Sequence, residues 1–247
     1  MLFALGLGDR TVGVTTYCRY PAQARALPKI GSFAQIDFER VTALKPDLIA
    51  AENNGLGIPD KMRRLGWRTV DVRHGSVREV LDAIRTIGAA TGTQERAAGL
   101  ATAIQRDLDQ IRAQTSKRPA RKVAFIVGRN PGTVEGLIAT GPGSYLNEIL
   151  EAAGGRNVFS GSAAPYPKIS AEHLIAGDPD ILIDMAEMAS GEALSPEKRD
   201  GIIRLWGKYP TLRAVRTKKV IPVSNDAFVV AGPRMVEAAR LFAEMLR

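Results

Sequence analysis

Two glutamates carry the first chemical signal in this sequence. Glu39 lies in Asp37-Phe-Glu39-Arg-Val-Thr-Ala43-Leu-Lys-Pro46-Asp47-Leu-Ile-Ala, and Glu172 in Ser170-Ala-Glu172-His-Leu-Ile-Ala176-Gly-Asp-Pro179-Asp180-Ile-Leu-Ile. The stretches align without a gap, since 172 − 39 and 179 − 46 both give 133. Each copy predicts a helix and then a strand. Asp or Ser caps the helix, and Glu in the first turn suits the positive end of the helix dipole. Proline ends the helix ahead of a buried strand. One first-turn Glu is an ordinary dipole residue. Two in register, one per lobe, present two carboxylates that basic residues of a two-fold partner can grip as charge-assisted pairs.

A second set of residues follows the predicted strands. In open α/β sheets ligands lie beyond the carboxyl ends of the strands. Those ends carry Tyr17, Cys18 and Tyr20; then Glu52, Asn53 and Asn54; then Gly128, Arg129 and Asn130; then Asn225, Asp226 and Phe228. Phe33 and Tyr166 fall in loops just before the two repeat helices, where they can line a site or anchor the loops on the core. This mixture of aromatic and amide groups contains no converging acid–base pair. It suits holding a large flat or polar ligand rather than transforming it. His74 and His173 have no metal-type partner three or four residues away. His173 reads as a surface residue and His74 as part of a strand-to-helix loop. Cys18 reads as a half-buried thiol.

Other chemistries fail on sequence grounds. No phosphate-binding loop or nucleophile elbow is present, and the Gly6–Gly8 pair precedes a strand where a dinucleotide fingerprint should follow one. A single cysteine excludes a disulfide framework and a multi-cysteine zinc site. No apolar run reaches the ~18 residues of a membrane helix. Met1–Gly8 is apolar but lacks the basic flank and cleavage site of a signal peptide. The net charge of +8 allows an acidic or nucleic-acid partner. Its densest group, Arg213, Arg216, Lys218 and Lys219, has no interleaved aromatics, so it reads as solvated surface rather than a nucleic-acid site.

The elements that must position these residues alternate. Thr11–Thr15, Asp47–Ala51, Thr69–Val72, Val123–Val127, Asp180–Met185 and Lys219–Val223 read as short strands covered on both faces. Ser76 with Glu79 predicts a capping box, Ser144 caps Tyr145–Ala153, and Arg234–Arg247 is a final amphipathic helix. Such alternation implies α/β layers with mostly parallel strands. Gln94–Thr115 reads as one helix, long enough at ~1.5 Å per residue to join two lobes. The expected division is an N-terminal lobe over 1–92, a linking helix over 93–118 and a C-terminal lobe over 119–247.

Several runs resemble a known family. Gly13-Val-Thr-Thr-Tyr17-Cys-Arg-Tyr20-Pro21, Lys29-Ile-Gly-Ser-Phe33, the Glu39 repeat, Ala139 to Phe159 and Pro165-Tyr166-Pro167-Lys-Ile-Ser are similar to the substrate-binding proteins of ABC importers built on a long helical backbone. Within that group they look nearest to the cobalamin (vitamin B12) binders. The resemblance implies a class III periplasmic-binding-protein-like fold, with the ligand in a cleft between two α/β lobes. Ligand contacts are implied at Tyr17, Cys18, Phe33, Glu52, Tyr166 and Asp226. Glu39 and Glu172 would engage arginines of the permease subunits. A monomer outside the cytoplasm is implied, touching the membrane only through the permease, with no catalytic step, no cofactor, no metal and no nucleic acid. Glu52 departs from the pattern, standing where cobalamin binders can carry Trp, and Val127 and Thr133 stand where they can carry Phe. The family's opening strand precedes the segment similar to Met1–Gly8, so the first sheet is expected to be one strand short. The alternatives are a haem or ferric-siderophore binder of the same fold, with Tyr17 or Tyr166 as axial ligand, a metal- or cofactor-dependent enzyme using Glu52 and Asp226, and a module that kept the fold and lost its ligand.

Overall fold

The strands among the described residues are mostly short, and they form two separate sheets. The structure, a computed structural model, describes residues 1–185 and 194–247. The chain divides into two compact units. The first comprises Met1–Arg106 with Val230–Pro233, and the second Asp107–Val229 with Arg234–Arg247.

The first unit holds helices α1 (Ala22–Ala26), α2 (Phe38–Leu44), α3 (Ile58–Arg64) and α4 (Val77–Thr91) and strands β1 (Ile49–Glu52) and β2 (Thr69–Val72). The two strands pair in parallel, with Ile49 opposite Thr69 and Glu52 opposite Val72. Val41, Ile49, Ala51 and Met62 form a buried cluster against which Phe38 and Trp67 pack. The capping box of α4 is present in full. Ser76 Oγ accepts the Glu79 N–H at 3.1 Å, and Glu79 accepts the Ser76 N–H at 3.2 Å.

Thr11–Thr15 is not a strand. Val14 makes one isolated parallel bridge to Lys29, with hydrogen bonds of 3.0 Å on either side to Pro28 and Ile30. Pro28 has no N–H to extend the ladder. On the other side the chain turns at once, with the Cys18 N–H on the Thr15 carbonyl at 3.0 Å.

Helix α5 (Gln94–Thr115) is continuous, as its periodicity predicts; it begins in the first unit and ends in the second. The second unit adds β3 (Arg121–Gly128), β4 (Ile138–Ala139), α6 (Tyr145–Ala152), β5 (Gly155–Asn157), α7 (Ala171–Gly177), β6 (Ile181–Asp184), α8 (Pro196–Trp206), α9 (Arg213–Arg216), β7 (Val220–Pro222) and α10 (Met235–Met245). Strand β3 is central. It pairs in parallel with β6 on one side, and on the other with β5 in parallel and β4 antiparallel; β7 continues beyond β6. Phe125 of β3 packs edge-on against Phe242 at 5.2 Å and Phe228 at 5.6 Å, all three rings at most 1% exposed. Each such ring contributes roughly 1.5–3 kcal/mol by leaving water.

The repeat is a repeat in space as well. Asp37 accepts the Arg40 N–H at 2.9 Å at the start of α2, and Ser170 accepts the His173 N–H at 3.3 Å at the start of α7. Both helices run for seven residues and stop on a left-handed residue, Lys45 (φ 48°) and Asp178 (φ 37°), just before the proline. Val41 and Leu174, equivalent in the repeat, are the buried anchors.

Candidate functional site

In the first unit the loops are tied so that two aromatic rings meet. Thr16 donates to the Gly31 carbonyl through both its N–H and its hydroxyl, each at 2.9 Å. Gly31 has φ 98°, and a Cβ there would collide with the Gln35 carbonyl, so only glycine fits. The following turn is closed by the Ser32 N–H on Gln35 at 2.8 Å and by the Gln35 N–H on the Ser32 hydroxyl at 3.1 Å. Phe33 sits at its tip, 57% exposed, with the 38%-exposed Tyr17 ring 6.1 Å away at 42°. That is the tilted arrangement favoured by aromatic quadrupoles, and both rings remain open to a ligand. Cys18 is half-buried, its thiol 3.3 Å from the Thr15 hydroxyl, and its carbonyl accepts from Lys29 Nζ at 3.3 Å.

Glu52 ends β1, and its carboxylate lies 3.2 Å from His74 Nε2. Each side chain is 32% exposed. The expectation that the strand ends hold no converging acid–base pair is therefore wrong here. Glu52 and Val72 face each other at the ends of paired strands, so His74, two residues beyond Val72, falls beside Glu52. That pairing needs the strand register, which the sequence alone does not state. Burial disfavours a charge on His74, but the hydrogen bond and charge of Glu52, with Glu79 behind, outweigh it and hold the His74 pKa above its ordinary value.

In the second unit Tyr166 is 43% exposed on a loop fixed at both neighbours. The Pro165 carbonyl accepts the Gly141 N–H at 2.8 Å and the Pro167 carbonyl accepts the Ala139 N–H at 3.0 Å. Asp226 is half-buried in a 3-10 turn, Asp226–Phe228, capped by Asn225, whose side chain accepts the Ala227 N–H at 2.8 Å. The turn is braced from below where the Tyr145 hydroxyl donates to the Phe228 carbonyl at 3.0 Å. Burial pushes the Tyr145 phenol well up.

Arg129, read from sequence as a strand-end lining residue, turns inward. Its Nε donates to Asp184 at 3.0 Å with both side chains fully buried, and Trp206 Nε1 donates to the same Asp184 oxygen at 2.6 Å. Arg129 also bonds the Thr133 carbonyl at 3.1 Å, which shapes the loop after β3. One guanidinium nitrogen, Nη2, has no hydrogen-bond partner among the described residues. This group holds the fold rather than facing a ligand.

Glu39 and Glu172 are both exposed in the first turns of α2 and α7. The Ser170 hydroxyl and the residue's own N–H hold the Glu172 pKa below the usual carboxylate value, so it stays ionised at neutral pH. Among the described residues no three His, Cys, Asp or Glu side chains come together as a metal site. No helix among them is long and apolar enough to cross a membrane.

The fold has clear counterparts. The periplasmic binding protein family model matches residues 1–227, and the chain belongs to that family. It is a solute-binding component of an ABC importer, with the class III fold, and not an enzyme. A vitamin B12-binding protein of Salmonella choleraesuis (strain SC-B67) is 28% identical over 245 residues, covering 98% of this chain and 85% of that protein. The solved periplasmic vitamin B12 binding protein BtuF of Vibrio cholerae matches with TM-score 0.79 and 25% identity, over 99% of this chain and 91% of the other. The periplasmic heme-binding protein RhuT from Roseiflexus sp. RS-1, in apo form, matches with TM-score 0.82 and 23% identity, over 100% of this chain and 94% of the other. At that identity the likeness concerns the fold.

Proposed function

We propose that this protein captures a corrinoid and presents it, as a monomer outside the cytoplasm, to an ABC permease. The observation that carries the reading is the exposed Tyr17–Phe33 pair, 6.1 Å apart, in a chain similar over 98% of its length to a vitamin B12-binding protein. A flat macrocycle gains most from aromatic faces, and its polar rim needs donors and acceptors. Tyr17, Phe33 and Tyr166 supply the faces; Glu52, Asp226 and Cys18 supply polar contacts. The Glu52–His74 pair adds a carboxylate and an imidazole where a corrin-stacking ring is otherwise expected. Glu39 and Glu172, fixed in matching capped helices, are the groups that meet arginines of the permease. The periplasmic names of the family and of its solved relatives support a place of action outside the cytoplasm.

The second reading is haem, favoured by two exposed phenols, Tyr17 and Tyr166, able to serve as axial ligands.

Calorimetric titration with cyanocobalamin, cobinamide and haemin separates the two. Saturable heat with a corrinoid is expected, weakened about tenfold by Tyr17→Ala or Phe33→Ala, equivalent to ~1.4 kcal/mol. A Soret band with haemin and no heat with either corrinoid would replace the first reading by the second. In the same preparation, Glu39→Ala with Glu172→Ala should retain ligand affinity and abolish stimulation of the permease ATPase.

A further inference from the structure

Strands β3, β5, β6 and β7 all run the same way, with Lys122 opposite Arg156 and Leu182 opposite Val220, so their starts share one edge of the second unit's sheet. Neighbouring strands lie ~4.8 Å apart, which sets the spacing of whatever side chains stand there. The segment entering β3 brings Lys117, Arg118, Arg121 and Lys122 to this edge. The segment entering β7 brings Arg213, Arg216, Lys218 and Lys219. Arg156 stands in β5.

Two carboxylates at the start of β6 staple these distant segments together. Asp180 accepts the Lys122 N–H at 2.9 Å and the Arg213 guanidinium at 2.9 Å. Asp178 accepts the Arg213 N–H at 2.9 Å. Burial works against the Asp180 charge, yet the Lys122 N–H, Arg213 and Arg121 together keep its pKa below the usual value, which places Arg121 in the same cluster. With both carboxylates so engaged, Lys117, Arg118, Arg156, Lys218 and Lys219 are exposed and have no ion-pair partner among the described residues.

The composition of this edge narrows what it fits. None of the exposed large apolar side chains falls in these segments, so the apolar anchors of a protein interface or an inserted membrane face are missing. No aromatic ring is interleaved to stack on bases. What remains is a set of exposed cations along one edge, Lys117, Arg118, Arg156, Lys218 and Lys219, two of them arginines suited to paired contacts with phosphate oxygens. Helix α7 separates this edge from Glu172. Lys122 Nζ donates at 2.9 Å to the carbonyl of Gly177, the last residue of α7, whereas Glu172 stands in its first turn, most of ~10 Å away.

We propose that this strand-start edge of the second unit binds a linear phosphate polymer by charge alone, tethering the protein while leaving Glu172 open. The test uses the apo chain and inorganic polyphosphate as probe, so it does not depend on the corrinoid reading. Binding is expected at low salt, with log Kd rising against log salt at a slope of about 4 for some six phosphate contacts. Lys117→Glu with Arg118→Glu should weaken it at least tenfold. Arg156→Glu with Lys219→Glu should do the same, and the four together should abolish it, with melting temperature unchanged. Lys117→Gln with Arg118→Gln gives a milder step in the same direction. The proposal is overturned by absence of binding at 50 mM salt, or by reversals without effect. Equal competition from orthophosphate would mean an adventitious ion only and also overturns it. So does tighter binding to phosphatidylglycerol vesicles or to single-stranded DNA than to polyphosphate.

Discussion

The two units solve one local problem in different ways. In each, the strand that follows the repeat helix ends in a carboxylate, Glu52 in β1 and Asp184 in β6, and each carboxylate meets a basic side chain delivered from just beyond the neighbouring strand. The distances barely differ, 3.2 Å for Glu52–His74 and 3.0 Å for Asp184–Arg129. The surroundings do. Glu52 and His74 are each 32% exposed at the rim of a two-stranded sheet. Asp184 and Arg129 are 0% exposed inside a five-stranded sheet, roofed by Trp206. The first pair can exchange its proton and its partner with water or a ligand. The second cannot, because freeing either charge would leave the other buried alone. The same motif therefore yields an adaptable polar contact in one unit and a fixed brace in the other.

The most direct way to break this contrast is Arg129→Met. An uncompensated Asp184 charge in the second unit should cost about 3–5 kcal/mol, seen as a lower urea midpoint of the full chain. A loss no larger than a surface pair's would mean that water reaches Asp184.

The capped helices should respond alike where the strand ends do not. Asp37→Ala and Ser170→Ala each remove one N-cap and should each cost about 1 kcal/mol, measured by chemical denaturation. Helices of seven residues have little stability of their own, so Glu39 and Glu172 should also lose their fixed positions. A marked inequality between the two variants would show that one copy of the repeat is held by packing instead of its cap.

The smallest effect belongs to Glu52→Gln, at a few tenths to ~1 kcal/mol for a partly exposed pair. His74 has its folded pKa raised above 6.5, so its ionic contribution is fully present below that value and is lost as pH rises through the folded pKa. The wild type should exceed Glu52→Gln in stability most at mildly acidic pH, and the gap should close at alkaline pH. NMR titration of His74 should show its pKa falling in the variant; an unchanged pKa would assign the shift to other groups.

Much of this fold was legible one segment at a time. The boundaries of α5, the capping box of α4 and the caps at Asp37 and Ser170 follow from residue types within a few positions of one another. So does the stop of α2 and α7 before a proline. The repeat was legible too, because a constant offset survives without any knowledge of contacts. Thr11–Thr15 was misread for a reason outside the segment: its aliphatic pattern suits a strand, but Pro28 in the segment it pairs with cannot continue the ladder. Of the candidate site, Phe33 and Tyr166 were placed in loops ahead of the repeat helices and Tyr17 after a stretch that proves not to be a strand; all three are exposed. His74 was undervalued and Arg129 misassigned. Both depend on which strand lies beside which, and on how deeply each end is covered.

By itself, then, the sequence determined where helices begin and stop, that one helix–strand unit occurs twice, and where two glutamates stand within it, since capping, dipoles and proline act over a single turn. Tertiary structure decided which cation meets which carboxylate, whether that pair stays open or is sealed, and that two separated basic segments share one sheet edge. Those outcomes depend on strand register and burial, quantities set by residues far apart in the chain.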